Sequence, residues 1–130
     1  CGGEGNIAAV HAAALAAAAD AGLVAYFPGW PPGPWNFASP QTTRSRLEEA
    51  GFRDIDCWLE PWPVRPDEPR AYLETICLGP FLQRLPAEDR QRYLDSVMTR
   101  LGERPLLDYV RLNILARRRE RAPVAGRPLT

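Results

Sequence analysis

Apolar residues recur at every second position in two stretches of the chain, and both read as half-buried strands. Ile55, Cys57 and Leu59 alternate with Asp54, Asp56 and Trp58, and Pro61 and Pro63 are expected to end that strand. Farther on, Val110, Leu112 and Ile114 alternate with Tyr109, Arg111 and Asn113 in a longer strand over 106–116. Elsewhere the spacing is helical. Asn6 is placed to cap an alanine-rich helix over about 7–20, which Gly22 stops. Ser39 and Pro40 open a second helix that Gly51 closes. Tyr72, Leu73, Ile76, Cys77 and Phe81 form a stripe within 69–84, with Gly79-Pro80 as its break. Tyr93, Leu94, Val97, Met98 and Leu101 form another over 87–101. Between the first two helices, 23–37 holds four prolines, two glycines, two tryptophans and a tyrosine, which predicts an aromatic loop without regular structure.

The predicted order is helix, aromatic loop, helix, strand, a helical excursion and strand: an α/β arrangement without internal repeat. Two strands with open edges are marginal by themselves, so they are expected to belong to a larger sheet or to pair with a second copy of the chain. The chain starts at Cys1 and its one methionine is Met98, which suggests a segment of a longer protein. Composition narrows the function. Sixteen arginines balance sixteen acidic residues, so no long-range field favours nucleic acid or an anionic membrane. Cys1, Cys57 and Cys77 are widely spaced and His11 is the one histidine, which argues against a disulfide framework or a structural metal and suits a reducing cytoplasm. The apolar run over 7–19 is too short for a membrane span and lacks the cationic start of a signal peptide, predicting a soluble chain.

Four stretches, taken in order, resemble the C-terminal half of class I S-adenosylmethionine-dependent methyltransferases of the trans-aconitate methyltransferase type. They are Gly2-Gly3-Glu4-Gly5-Asn6, then Gly33-Pro34-Trp35-Asn36-Phe37, then Leu47-Glu48-Glu49-Ala50-Gly51-Phe52-Arg53-Asp54-Ile55, and finally 108–117, Asp-Tyr-Val-Arg-Leu-Asn-Ile-Leu-Ala-Arg. Their order and spacing carry the resemblance, over residues 1–118. It implies the end of a Rossmann-like fold: strands six and seven antiparallel, a helical cap at about 63–104 inserted between them, and a solvated tail at 119–130. It further implies an acceptor-binding role toward a small, carboxylate-bearing metabolite, with the cofactor held by an N-terminal half of the domain. No cofactor residue is assigned in this chain, and S-adenosylmethionine is not expected to bind it in isolation. The Gly2 to Gly5 run reads as a connecting turn, because no strand precedes it and the spacing of a dinucleotide loop is missing.

Five residues become candidates for the acceptor site. Trp30 and Trp35 either wall the acceptor and the sulfonium side of the cofactor or plug the edge of the sheet. Tyr72 and Thr75 line one side of the first cap helix, with core packing as the other role for Tyr72. Arg111 either presents a guanidinium to an acceptor carboxylate or pairs across the sheet with Asp54, Asp56 or Glu60. His11 reads as a surface or packing residue, Trp58 and Trp62 as packing beneath the cap, and 117–121 as a solvated charge run. Two other classes of function stay open: a small ligand-binding or interaction domain without chemistry, and a partner subunit that completes a methyltransferase.

Overall fold

A computed structural model describes residues 1–120. It is a mixed α/β structure in which helices pack around one antiparallel strand pair. Helix α1 (Ala8–Asp20) carries Val10, Ala14, Ala17 and Ala18 on its buried face. Three of these are alanines, so the long helix α5 (Ala87–Leu101) can approach closely with its own buried Tyr93, Leu94 and Val97. The Tyr93 hydroxyl donates to the Ala14 carbonyl at 2.9 Å, which satisfies a buried polar group inside the contact. At its rim Arg100 pairs with Asp20 through two hydrogen bonds, 2.7 and 3.0 Å. That pair is solvent-exposed and adds little to stability.

Helix α2 (Pro40–Glu49) starts as the sequence predicts. Ser39 is its cap, accepting from the Thr42 N–H at 3.1 Å, and Pro40 fills the first position. Strand β1 (Phe52–Pro61) follows and pairs with β2 (Val110–Arg118), Leu59 lying opposite Leu112 and Cys57 opposite Ile114. A bulge between Arg53 and Asp56, with Asp54 at a positive φ of 50°, lets Phe52 and Ile55 turn to one face. There Ile55, Cys57 and Leu112 form a small core, with Leu47 of α2 against it.

Three local expectations are corrected. Asn6 does not cap α1. The cap position is Ile7, in left-handed conformation without a side-chain bond, while the Asn6 amide oxygen accepts from the Val110 N–H at 2.8 Å. Asp108, from the other end of the chain, supplies the missing acceptor to the Ala9 N–H at 3.1 Å. The prolines, secondly, do not end strand pairing. Trp62 and Val64 still donate to the Tyr109 and Leu107 carbonyls at 2.8 and 3.0 Å. Alternate N–H groups of a strand face opposite edges, so Pro61 and Pro63 fall where the missing donors point outward, as on an edge strand. Thirdly, Ile76 of the predicted stripe is 59% exposed.

The segment between the strands is helical, but in pieces. Helix α3 (Pro69–Tyr72) runs into a π turn at Leu73–Cys77, closed by the Leu78 N–H on the Leu73 carbonyl at 2.8 Å. A short helix α4 (Gly79–Gln83) then restarts the chain, with Pro80 in its first turn where no donor is needed. The π turn rotates Leu73 and Cys77 inward together with Leu78, Phe81 and Leu82. Of the tail expected at 119–130, Arg119 and Glu120 are exposed and 121–130 lie outside the described residues.

Candidate functional site

The aromatic loop folds back over α1 and α4 and gathers rings around Phe81. Trp30 meets Phe81 edge-on at 4.8 Å between centroids, Trp35 lies 5.2 Å from it, and the two tryptophans meet edge-on at 5.4 Å. Phe27 and Tyr93 complete the buried side of the cluster. Trp30 and Trp35 are each only half-buried, and the Arg84 guanidinium lies 5.2 Å from the Trp30 ring. Both tryptophans are therefore packed and presented at once.

His11 belongs to this cluster. Its ring is 4.2 Å from Trp35, 5.8 Å from Phe37 and 5.9 Å from Phe81. Its Nε2 is shut off from solvent and has no hydrogen-bond partner among the described residues. Asp108 Oδ1 is in the same condition, although Oδ2 of that carboxylate holds the start of α1. Burial pushes the His11 pKa below its ordinary 6.5, and the nearby Asp108 charge opposes that shift without cancelling it. A cavity of about 30 Å³ lies against His11, Leu15, Trp30, Trp35 and Phe81.

The other candidates sit elsewhere. Tyr72 and Thr75 border an open groove of about 570 Å³ that Asp67, Glu68 and Ala71 also line. The Tyr72 hydroxyl is 2.9 Å from the Tyr109 hydroxyl, which also lies 3.5 Å from the Cys77 sulfur. Burial pushes both the Tyr109 hydroxyl and the Cys77 thiol up, so these groups stay protonated at neutral pH. They act as a neutral hydrogen-bonded link between the cap and the residue that leads into β2. Arg111 borders a separate groove of about 340 Å³ with Asn6, Tyr109 and Asn113. Tyr109, just ahead of β2, and Arg111 and Asn113 within it line this groove together, in keeping with their alternation.

Two expectations about that face are corrected. Arg111 makes no ion pair among the described residues: it lies over the Trp62 ring at 4.0 Å, while Glu60 accepts from the Asn113 amide at 2.8 Å and Asp54 takes Arg117. Trp58 and Trp62 are not beneath the cap, being 40% and 46% exposed. Their exposure leaves a guanidinium-on-indole surface beside Arg111. The structure thus joins Trp30 to Trp35, keeps Tyr72 with Thr75, and leaves Arg111 apart. His11, Asp108 and Tyr109 are additions that residue pattern did not single out. A lone histidine in an alanine-rich helix and an aspartate ahead of a strand were the signals available.

His11 is the one histidine, so it gives a clean pH signature. Its folded-state pKa is depressed, so the unfolded chain takes up a proton first as pH falls. Stability is expected to decline as pH drops below 6.5, above the carboxylate range, and His11→Phe should flatten that window. Urea midpoints measured across it would check this, and a wild-type midpoint rising toward acid would contradict it.

A scan against family models and a search of curated proteins gave no match to this chain. Among the described residues no helix is long and apolar enough to cross a membrane, and no cluster of ligating side chains suits a metal ion.

Proposed function

We propose that this chain forms the acceptor-binding, C-terminal side of a class I S-adenosylmethionine-dependent methyltransferase that acts on a small metabolite. The observation that carries the reading is the position of β2. On the edge away from β1, the first residues pair antiparallel to it. The Gly3 N–H donates to the Val110 carbonyl at 3.0 Å, and the Leu112 N–H to the Cys1 carbonyl at 2.8 Å. The lateral order is therefore incoming chain, β2, β1. That is the order of strands five, seven and six in the fold the sequence resembles, with β1 as the proline-bearing edge. The helical segment from α3 to α5 then corresponds to the cap between strands six and seven.

The residues present do not fit the cofactor itself. A Cβ at Gly3 would lie 2.5 Å from Leu59 Cδ2 and 2.9 Å from Leu112 Cβ, and one at Gly2 2.9 Å from Asn6 and Phe37. Gly2 and Gly3 serve close strand packing, and the groove of about 340 Å³ that Gly2 borders carries no acidic side chain to hold the cofactor's hydroxyls. In this reading the cofactor's contacts come from the N-terminal half, and the present residues bind and shield the acceptor. Trp30 and Trp35 supply an aromatic wall. The Tyr72–Tyr109 bond holds the cap against the sheet.

The edge of β2 beyond Leu112, unpaired among the described residues, provides the test. By the two-residue period, the Ile114 and Ala116 amides point to the same edge as Leu112. In the isolated chain they should exchange with solvent rapidly. With the coding sequence upstream of Cys1 restored, a neighbouring strand should slow them by orders of magnitude. Equal exchange in both polypeptides would remove the basis for the proposal.

A further inference from the structure

The groove beside Arg111 presents hydrogen-bond donors and no acid to take them. Arg111 is exposed, makes no ion pair among the described residues, and has its guanidinium over the Trp62 ring at 4.0 Å. A π face supports the charge without taking up its N–H groups as a carboxylate would. Asn6, in the same groove, is only 8% exposed. Its amide oxygen accepts from the Val110 N–H at 2.8 Å, which fixes the orientation of the amide, because an amide nitrogen cannot accept that bond. The amide nitrogen is left without an acceptor among the described residues. Solvent still reaches it, since the unpartnered polar side-chain atoms that are sealed off are His11 Nε2 and Asp108 Oδ1. Gly2 keeps that access open. It stands opposite Arg111 in an antiparallel bridge, so the two share a face, and a Cβ there would lie 2.9 Å from Asn6 Nδ2.

We propose that this groove binds a small, singly charged oxyanion, with Arg111 supplying the countercharge and the Asn6 amide a second donor. The remaining groups decide the sign of the ligand. Glu60 faces Arg111 in the strand register but accepts from the Asn113 amide at 2.8 Å, and no acidic side chain lines the groove. The Tyr109 hydroxyl is taken up by Tyr72 and Cys77. A cation entering here would meet Arg111 without a countercharge. A neutral ligand would satisfy the amide and leave the guanidinium uncompensated. A carboxylate or a sulfate ester brings oxygens for both donors and one charge for one guanidinium. Because solvent hydrates and screens an exposed arginine, the expected affinity is millimolar. The site goes beyond the acceptor-side reading and does not rest on it, and its test needs neither cofactor nor turnover.

The probes are sodium acetate and sodium methyl sulfate, titrated into the chain with Cys1 acetylated so that its amine adds no charge. Methylammonium chloride at matched ionic strength is the control. In proton–nitrogen spectra the Asn6 side-chain NH2 pair reports one donor, and the Trp62 indole N–H reports the surroundings of the other. At least one of the two sodium salts should shift both signals saturably in the millimolar range, while the control does not. Acetate alone identifies a planar carboxylate ligand, methyl sulfate alone a tetrahedral one, and both together a general oxyanion site. Arg111→Met, which keeps a side chain against Trp62, should weaken the response of Asn6 by about tenfold or more. Asn6→Asp keeps an oxygen for the Val110 N–H but exchanges the free donor for an acceptor, and should abolish the response of Trp62. Absence of saturation with either salt, an equal shift with the control, or a full response retained in Arg111→Met would each overturn the proposal. None of these outcomes would alter amide exchange along β2 in the longer polypeptide, so the two ideas fail separately.

Discussion

Replacing Phe81 by alanine should remove a large share of the stability of this chain, lowering its melting temperature by an amount on the order of 15 °C. Phe81 is 1% exposed and is the ring that the rest of the aromatic cluster shares. Its centroid lies within 4.8–6.4 Å of Trp30, Trp35, Phe27, His11 and Tyr93. Removing it takes away the buried transfer energy and opens a cavity bordered by large flat rings that cannot collapse into it. Such substitutions cost about 3–5 kcal/mol, against a total stability of about 5–15 kcal/mol for a domain. Ile76→Ala is the matched comparison, because the same sequence stripe holds both residues but Ile76 is 59% exposed. Its cost should stay within about 0.5 kcal/mol. Equal urea midpoints for the two variants would mean that the cluster is not the core.

The contrast between Phe81 and Ile76 also shows where the sequence was readable and where it was not. Periodicity identified both as apolar positions of one helix, but the π turn at Leu73–Cys77 changes the angular position of Ile76 within it and of the residues after it, and no residue pattern announces it. Helix α2 was legible because its signals are local: Ser39 and Pro40 stand next to the backbone groups they satisfy. Asn6 carries the same kind of signal but spends its side chain on Val110, far along the chain, and α1 takes its acceptor from Asp108 instead. Alternation placed Arg111 on the correct strand face, yet it could not reveal that Trp62 would be its partner. That contact depends on strand pairing continuing past Pro61, which rests on the direction of the missing N–H groups. The candidate site divides in the same way. Trp30 and Trp35 were visible as aromatics in a loop that needed something to cover, whereas His11 gained its surroundings only when that loop folded over α1.

In the function proposed above, this chain supplies the acceptor side of a methyltransferase and the cofactor is held elsewhere. The most direct test of that division is calorimetric titration with S-adenosylmethionine of the 130-residue chain and of the polypeptide extended upstream of Cys1. In the resembled fold the cofactor's polar ends are gripped at the C-terminal ends of the first strands, by backbone donors and an acidic side chain. Here Gly2 and Gly3 pack against Phe37, Leu59 and Leu112, the groove beside Gly2 has no acidic side chain, and Trp30 and Trp35 offer apolar walls without the convergent polar groups that fix a ligand's orientation. A few such contacts cannot offset the roughly 4–15 kcal/mol lost in translational and rotational freedom on association. No heat is expected for the isolated chain, and saturable heat with methyl transfer for the extended polypeptide. A micromolar dissociation constant for the isolated chain, or no binding by the extended one, would contradict that division.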